Sequence, residues 1–342
     1  MVRNYFGGIF VIALVAMFLL SFGCIDNKTG AFTASSSDSP VLKIGYQKGP
    51  ISTLAIIAKE KGYFEQEGVN IELSEFTAGK LALQAFLGGS VDFAIVGDLP
   101  VALAKTSGNN FVVVSQVIAK THNENRIIAL KDSNAISIQD YFSAKHRKVG
   151  TFLGGTAEFY LHEFLRYYNI SGSDYPDITS GKPEDMVAML TSGSVDAVSI
   201  FEPYPTIAEG ALGDKAISYT LPPTEYNTMY ILTAHSDFVK DHPEELKKIF
   251  RALILAEDYV KNNQAESKNI ISKITGFDLQ KIESIWPAYD FGLALDKETL
   301  VSTWDKEINW EISSGKLPQS TVIPDFNSLI SDETLKSVLS GK

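Results

Sequence analysis

Few residues in this chain of 342 have types and spacings that could carry chemistry. The single cysteine, Cys24, leaves neither a disulfide nor a cysteine-built metal site. The five histidines (His122, His146, His162, His235, His242) are scattered. His162-Glu163 falls in a helical pattern, but a metalloprotease helix needs a second histidine four positions on, where Arg166 stands. No serine sits in a nucleophile elbow. The remaining candidates suit binding. Gly154-Gly155-Thr156 precedes the helical pattern Ala157 to Leu161 and would offer amides and a hydroxyl to an oxyanion. The same three residues equally make a plain N-cap with a tight turn. Asp98 and Glu202 each stand just past an apolar run, where an acid caps the helix that follows. Recognition of a ligand ammonium is the alternative reading for both. No metal and no cofactor is expected, and no enzyme activity.

These residues are positioned by strand–helix alternation. Val41 to Tyr46 reads as a strand, Thr53 to Lys61 as a helix, and Val69 to Phe76 alternates with the period of a strand. Lys80 to Leu87 is a second helix, and Phe93 to Val96 a buried strand. This order predicts parallel sheets covered by helices. It also occurs twice. Gly89-Ser90-Val91-Asp92 precedes Phe93 to Val96, and Gly193-Ser194-Val195-Asp196 precedes Ala197 to Ile200, 104 residues later (193 − 89). Lys43-Ile44-Gly45 corresponds to Lys148-Val149-Gly150, 105 residues later (148 − 43). Asp98 and Glu202 hold the same place in the two copies. Two facing α/β lobes make a cleft lined by matching loops, since ligands of open sheets bind at the carboxyl ends of the strands. Beyond the second copy come a strand from Asn227 to Ala234 and helices at His242 to Lys261, Gln264 to Ile274, Asp278 to Ile285 and Lys297 to Ser313. This helical tail is expected to return to the first lobe.

Composition is that of a folded protein, with 45% hydrophobic and 21% charged residues. That excludes a disordered chain and a polytopic membrane protein. The net charge of −11 carries no basic footprint for nucleic acid. Arg3, the uncharged apolar run Tyr5 to Phe22, and Gly23-Cys24 read as an export signal (1–23) ending at a lipidated Cys24. A polar tether (24–40) with Ser35-Ser36-Ser37-Asp38-Ser39 follows. Ser21 stands where a lipobox has leucine, and Leu20 lies one position back. An uncleaved signal anchor is the other reading, and both place the folded part outside the cell, tethered to the membrane.

Gly45-Tyr46-Gln47-Lys48-Gly49, Gly97-Asp98-Leu99-Pro100, Gly154-Gly155-Thr156 and Phe201-Glu202-Pro203-Tyr204 occur in this order. Together they resemble the aliphatic sulfonate/taurine/nitrate solute-binding proteins of ABC importers, over about Val41 to Phe238. The resemblance implies a type II periplasmic-binding-protein fold: α/β, two lobes with a hinge and an interlobe ligand cleft, and a helical C-terminal tail. The expected lobes are 41–130, 131–225 and a return at 226–342, with hinges near Leu130 and Tyr226. It implies ligand-binding roles for Gln47, Lys48, Gly79, Lys80, Asp98, Gly154, Gly155, Thr156, Glu202 and Tyr204, with Tyr226 and Asn227 near the return crossover. Lys48 and Lys80 would place positive charge by a sulfonate, and Tyr46, Tyr204 and Tyr226 would offer ring faces. The expected ligand is a small anion, an alkanesulfonate or taurine, delivered to an ABC permease and its ATPase. Nitrate, bicarbonate, a thiamine-pyrimidine or riboflavin-type precursor, and a membrane-sensor partner are the alternatives. The fold also has an enzymatic relative in the fungal thiamine-pyrimidine synthase, which is intracellular.

Overall fold

The structure is a computed structural model that describes residues 40–341. Cys24, the apolar run before it and the tether to residue 39 lie outside the described residues. The described part is one compact unit built on two sheets. The first lobe opens with β1 (Val41–Gln47), β2 (Asn70–Phe76), β3 (Phe93–Gly97) and β4 (Val112–Thr121). The second contains β5 (Asn125–Leu130), β6 (Lys148–Thr151), β7 (Asp177–Ser180), β8 (Ala197–Phe201) and β9 (Ala216–Tyr219). The chain then returns to the first sheet with β10 (Tyr230–Ala234) and β11 (Tyr289–Ala294). Strand orders are β11-β4-β10-β3-β1-β2 and β7-β6-β8-β5-β9. In each sheet the central strands are buried on both faces, as β3 and β8 are at every residue. That is why both read as unbroken apolar runs.

The repeated motif has the same physical job in both lobes. Gly89 and Gly193 sit at φ 71° and 74°, ending the preceding helix in a left-handed turn that favours glycine. The valine that follows is buried in each copy. Asp92 then clamps the first strand twice, its amide to the Lys43 carbonyl at 2.9 Å and its carboxylate to the Lys43 amide at 2.7 Å. Asp196 does the same to Lys148 at 2.8 and 2.9 Å.

The lobe boundary departs from expectation. β5 pairs with β8 and β9, so Asn125–Leu130 already belongs to the second sheet. The first crossover therefore lies between Thr121 and Asn125, ahead of the expected hinge at Leu130. The return crossover, between β9 and β10, contains Tyr226. The two crossovers are fastened together: Thr121 Oγ1 donates to the Thr228 carbonyl at 2.9 Å, and Asn125 Nδ2 to Thr228 Oγ1 at 2.5 Å.

The tail packs largely as its patterning predicts. The helix Pro243–Asn262 buries Leu246, Ile249, Phe250, Leu253 and Val260 against Leu54 and Ile57 of the helix Thr53–Glu60. β11 is an addition to the expected all-helical tail and extends the first sheet by pairing with β4. The helix Lys297–Ser313 turns its end toward the second lobe, where Trp310 lies 5.4 Å from Phe159 and stacks on His162 at 5.1 Å.

Candidate functional site

A small cavity of about 20 Å³ lies where the carboxyl ends of β1 and β3 meet the start of the helix Thr156–Tyr167. From the first lobe it is lined by Gln47, Ala78, Gly79, Lys80, Gly97, Pro100 and Tyr230; Phe152, Gly155, Thr156 and Phe201 come from the second. Five residues expected from sequence (Gln47, Gly79, Lys80, Gly155 and Thr156) are thus brought together. A cavity of this volume holds about one water. The lobes touch across it: a Cβ on Gly97 would lie 2.5 Å from Thr156 Cγ2. This is a closed arrangement.

Lys80 sits at the edge of this contact. Its ammonium donates to the Leu153 carbonyl at 2.9 Å and lies 5.6 Å from the centre of the Phe152 ring. Among the described residues it enters no ion pair. The neighbouring cations differ. Lys48 is paired with Glu75 at 3.4 Å and stands clear of the cavity, and Lys316 is paired with Glu158. Gln47 is oriented by the Gly79 amide, which donates to its Oε1 at 2.9 Å.

The glycine amides expected to meet an oxyanion are engaged by the chain itself. Gly154 donates to Glu158 Oε2 at 2.6 Å, and Gly155 to the Phe152 carbonyl at 3.1 Å. Glu158 stands in the first turn of its helix and is buried, so a carboxylate already occupies the favourable end of the helix dipole. Of this motif only Gly155 and Thr156 line the cavity.

Asp98 and Glu202 are both engaged by the protein's own groups. Asp98, with no exposed surface, accepts from the Leu99 amide at 2.9 Å, the Tyr226 hydroxyl at 2.8 Å and the Met229 amide at 3.1 Å. It stands in the first turn of the helix Asp98–Thr106, where Gly97 holds the N-cap position, and it fixes the return crossover through Tyr226 and Met229. Burial still pushes its carboxyl up, to about 6. Glu202 accepts from Arg126 and from the Thr206 hydroxyl at 3.0 Å, which anchors the start of the helix Tyr204–Leu212. Burial holds it above the usual carboxylate range against the pull of Arg126. Neither lines the cavity, nor do Tyr204, Tyr226 and Asn227. Tyr226 and Asn227 lie in the return crossover, the latter with its amide on the Pro223 carbonyl at 2.5 Å.

Beneath the cavity runs a row of buried acids. Tyr230 donates to Glu124 at 2.5 Å, and Asn125 donates to the same carboxyl at 2.6 Å. Burial pushes Glu124 up to about 8, and its proximity to Glu202 and Asp98 adds to this. Glu307 of the tail faces Asp98 with neither carboxyl oxygen matched to a donor among the described residues. Burial raises it well above the usual range, with Asp98 as a further cause.

Three aromatic lining residues, Phe152, Phe201 and Tyr230, were not anticipated. The repeat offsets contain two of them, since Phe152 stands 105 residues after Gln47 (152 − 47) and Phe201 stands 104 after Gly97 (201 − 97). Among the described residues no group of three metal-ligating side chains converges.

Two lobes on sheets of matching strand order, joined by two crossovers and meeting face to face, define a periplasmic-binding-protein fold. The sequence profile of the NMT1-like family matches residues 35–275. The chain belongs to that family. It is 28% identical over 283 residues to a Bacillus subtilis protein named for aliphatic sulfonate binding, covering 80% of this chain and 81% of the relative. It is 22% identical over 240 residues to the Saccharomyces cerevisiae 4-amino-5-hydroxymethyl-2-methylpyrimidine phosphate synthase THI13, covering 66% and 68%. Among solved structures, the periplasmic aliphatic sulphonate binding protein SsuA of Escherichia coli superposes with a TM-score of 0.73 at 22% identity, covering 85% of this chain and 98% of that one.

Proposed function

We propose that this protein is the extracytoplasmic solute-binding component of an ABC importer, taking a small organic anion, an alkanesulfonate or taurine, between its lobes and handing it to a permease. The observation that carries the reading is Lys80. It is a cation at the interlobe cavity whose hydrogen-bond partner is a neutral carbonyl, with Gln47 and Thr156 beside it. A ligand acid displacing Leu153 from Lys80 would gain a charge-assisted bond, worth about 1.5–3 kcal/mol. The sulfonate-binding relatives support the same class of cargo, and the signal-like first 23 residues with Cys24 support export and lipid anchoring. The closed arrangement is then the end state of a hinge motion about the paired crossovers Thr121 to Asn125 and 220–229. Asp98, Glu202, Tyr226 and Asn227 serve in this reading as hinge and lobe supports.

A second reading has an observation of its own. Phe152, Phe201 and Tyr230 around the cavity suit a flat heterocycle, and the resemblance to a pyrimidine phosphate synthase points the same way. A thermal-shift panel of methanesulfonate, taurine, sulfate, nitrate, bicarbonate, the thiamine pyrimidine and riboflavin separates the two. A ligand at 100 times its Kd stabilises by about 2.7 kcal/mol. Shifts with sulfonates that Lys80→Ala and Thr156→Ala remove support the first reading. A shift with a heterocycle alone replaces it with the second.

A further inference from the structure

Tyr230 touches the cavity and the first crossover at once. It opens β10, the strand by which the chain returns to the first sheet, and pairs there with Gly97. It lines the cavity together with Gln47 and Gly79. Its hydroxyl donates to Glu124 Oε1 at 2.5 Å.

Glu124 belongs to the other lobe. Its carbonyl accepts from the Glu202 amide at 3.0 Å, which extends the pairing of β5 with β8 by one residue. The next residue, Asn125, pairs with Phe201, a second-lobe wall of the cavity. The chain turns into this strand at Asn123, whose φ of 51° is left-handed, a region that asparagine adopts more readily than most residues. The Tyr230–Glu124 bond therefore runs from a first-lobe wall of the cavity to the place where the second lobe begins. Both partners are buried, so parting them leaves a phenol and a carboxyl short of a hydrogen bond where water is scarce. The other fastenings here stand away from the cavity: Thr121 and Asn125 bond to Thr228, and Asp98 holds Tyr226 and Met229, and none of these residues lines it.

We infer that Tyr230 is a positioning residue that couples the solute to closure. Its side chain bounds the solute space, and its hydroxyl holds Glu124, and with it the second lobe, at the closed angle. A solute that fills the cavity and keeps Tyr230 in place thereby steadies the closed form. This rests on the hinge motion proposed above and on no particular cargo.

Small-angle scattering of the ligand-free, full-length chain tests it. Tyr230→Phe keeps the ring and removes the hydroxyl, and Glu124→Leu removes the acceptor. Each is measured alone, together, and with Lys80→Met, which removes the bond from Lys80 to Leu153. Loss of the bond should lower the ratio of closed to open forms about five- to tenfold. The double variant should match the single ones, and Glu124→Gln, which still offers the phenol an acceptor, should stay within about twofold of wild type. Where Tyr230→Phe does not fold, Glu124→Leu carries the same comparison. A ratio that neither variant changes, with only a lower urea midpoint, marks a bond that serves the fold alone and overturns the coupling. Additive losses in the double variant overturn it too, because Tyr230 then acts through another group. Scattering that Lys80→Met leaves unmoved as well removes the hinge motion, and the coupling with it.

Discussion

The Lys80 ammonium donates to the Leu153 carbonyl at 2.9 Å, joining the two lobes at the edge of their contact. Lys80 belongs to the helix Gly79–Leu87 of the first lobe, and Leu153 follows β6 of the second. A cation satisfied only by a neutral acceptor holds the lobes together without forming an ion pair that a ligand would have to break.

Lys80→Met should loosen closure in the absence of ligand. For a half-exposed bond the loss is about 1 kcal/mol, or about fivefold in the ratio of open to closed forms. Small-angle scattering should show a larger radius of gyration for the variant. An unchanged radius would assign closure to other contacts, such as Trp310 on Phe159 and His162.

The Lys316–Glu158 pair should reward unequal treatment of its partners. Lys316→Met leaves the buried Glu158 carboxylate with only the Gly154 amide. That should cost on the order of 1–2 kcal/mol, below the 3–5 of a fully buried pair because Lys316 is 36% exposed. Glu158→Gln keeps an acceptor for Gly154 and should cost less. Urea midpoints in which the glutamine variant is the weaker protein would contradict this ordering.

Stability should depend on pH through Glu124. Burial raises its pKa in the folded protein to about 8, from 4.5. The folded state therefore holds a proton that the unfolded state has lost between these values, and stability falls as pH rises across that window. Glu307, raised in the same direction by burial, adds to the fall. Chemical denaturation at pH 5, 6.5 and 8 should show it, and Glu124→Gln should reduce the slope. A slope that is unchanged in the variant would assign the effect elsewhere.

The twin clamps make a paired prediction. Asp92→Asn and Asp196→Asn should each cost about 1–2 kcal/mol by weakening a charged hydrogen bond to a strand amide. Asp196 should cost more, since it also pairs with Lys145 at 2.6 Å and lies 3.7 Å from Arg147. Midpoints of guanidinium unfolding for the two variants supply the comparison.

What was legible in the sequence follows from the range of the interactions. The Gly-Ser-Val-Asp turn carries its own geometry, a left-handed glycine and a strand clamp, so its recurrence revealed two lobes. The helix Pro243–Asn262 announced itself by an apolar face of uniform spacing. The first crossover did not, because Thr121 to Asn125 holds neither glycine nor proline to mark a turn and β4 and β5 flank it closely. β11 was hidden by Asp290 and Gly292, which interrupt its apolar pattern. At the cavity, Gln47 and Thr156 were carried by motifs at a strand end and a helix start, and Lys80 came from the family resemblance alone. The pairing of Glu158 with Lys316 was not legible, since Lys316 is distant in sequence and brought near only by the tail.

The internal repeat also sorts positions by how freely they vary. Asp92 and Asp196 occupy equivalent places and make the same hydrogen bonds, so the duplicated scaffold has kept its fastening. The places that look into the cavity have diverged: Gln47 faces it from one half and Phe152 from the other, and Gly97 is matched by Phe201. An approximate dyad therefore runs through the cavity while its two walls differ at these places, polar or small on one side and aromatic on the other. In the proposed reading, a guest lodged there is itself two-sided. Recombining wall residues between the halves would change the cargo and leave the fastening untouched.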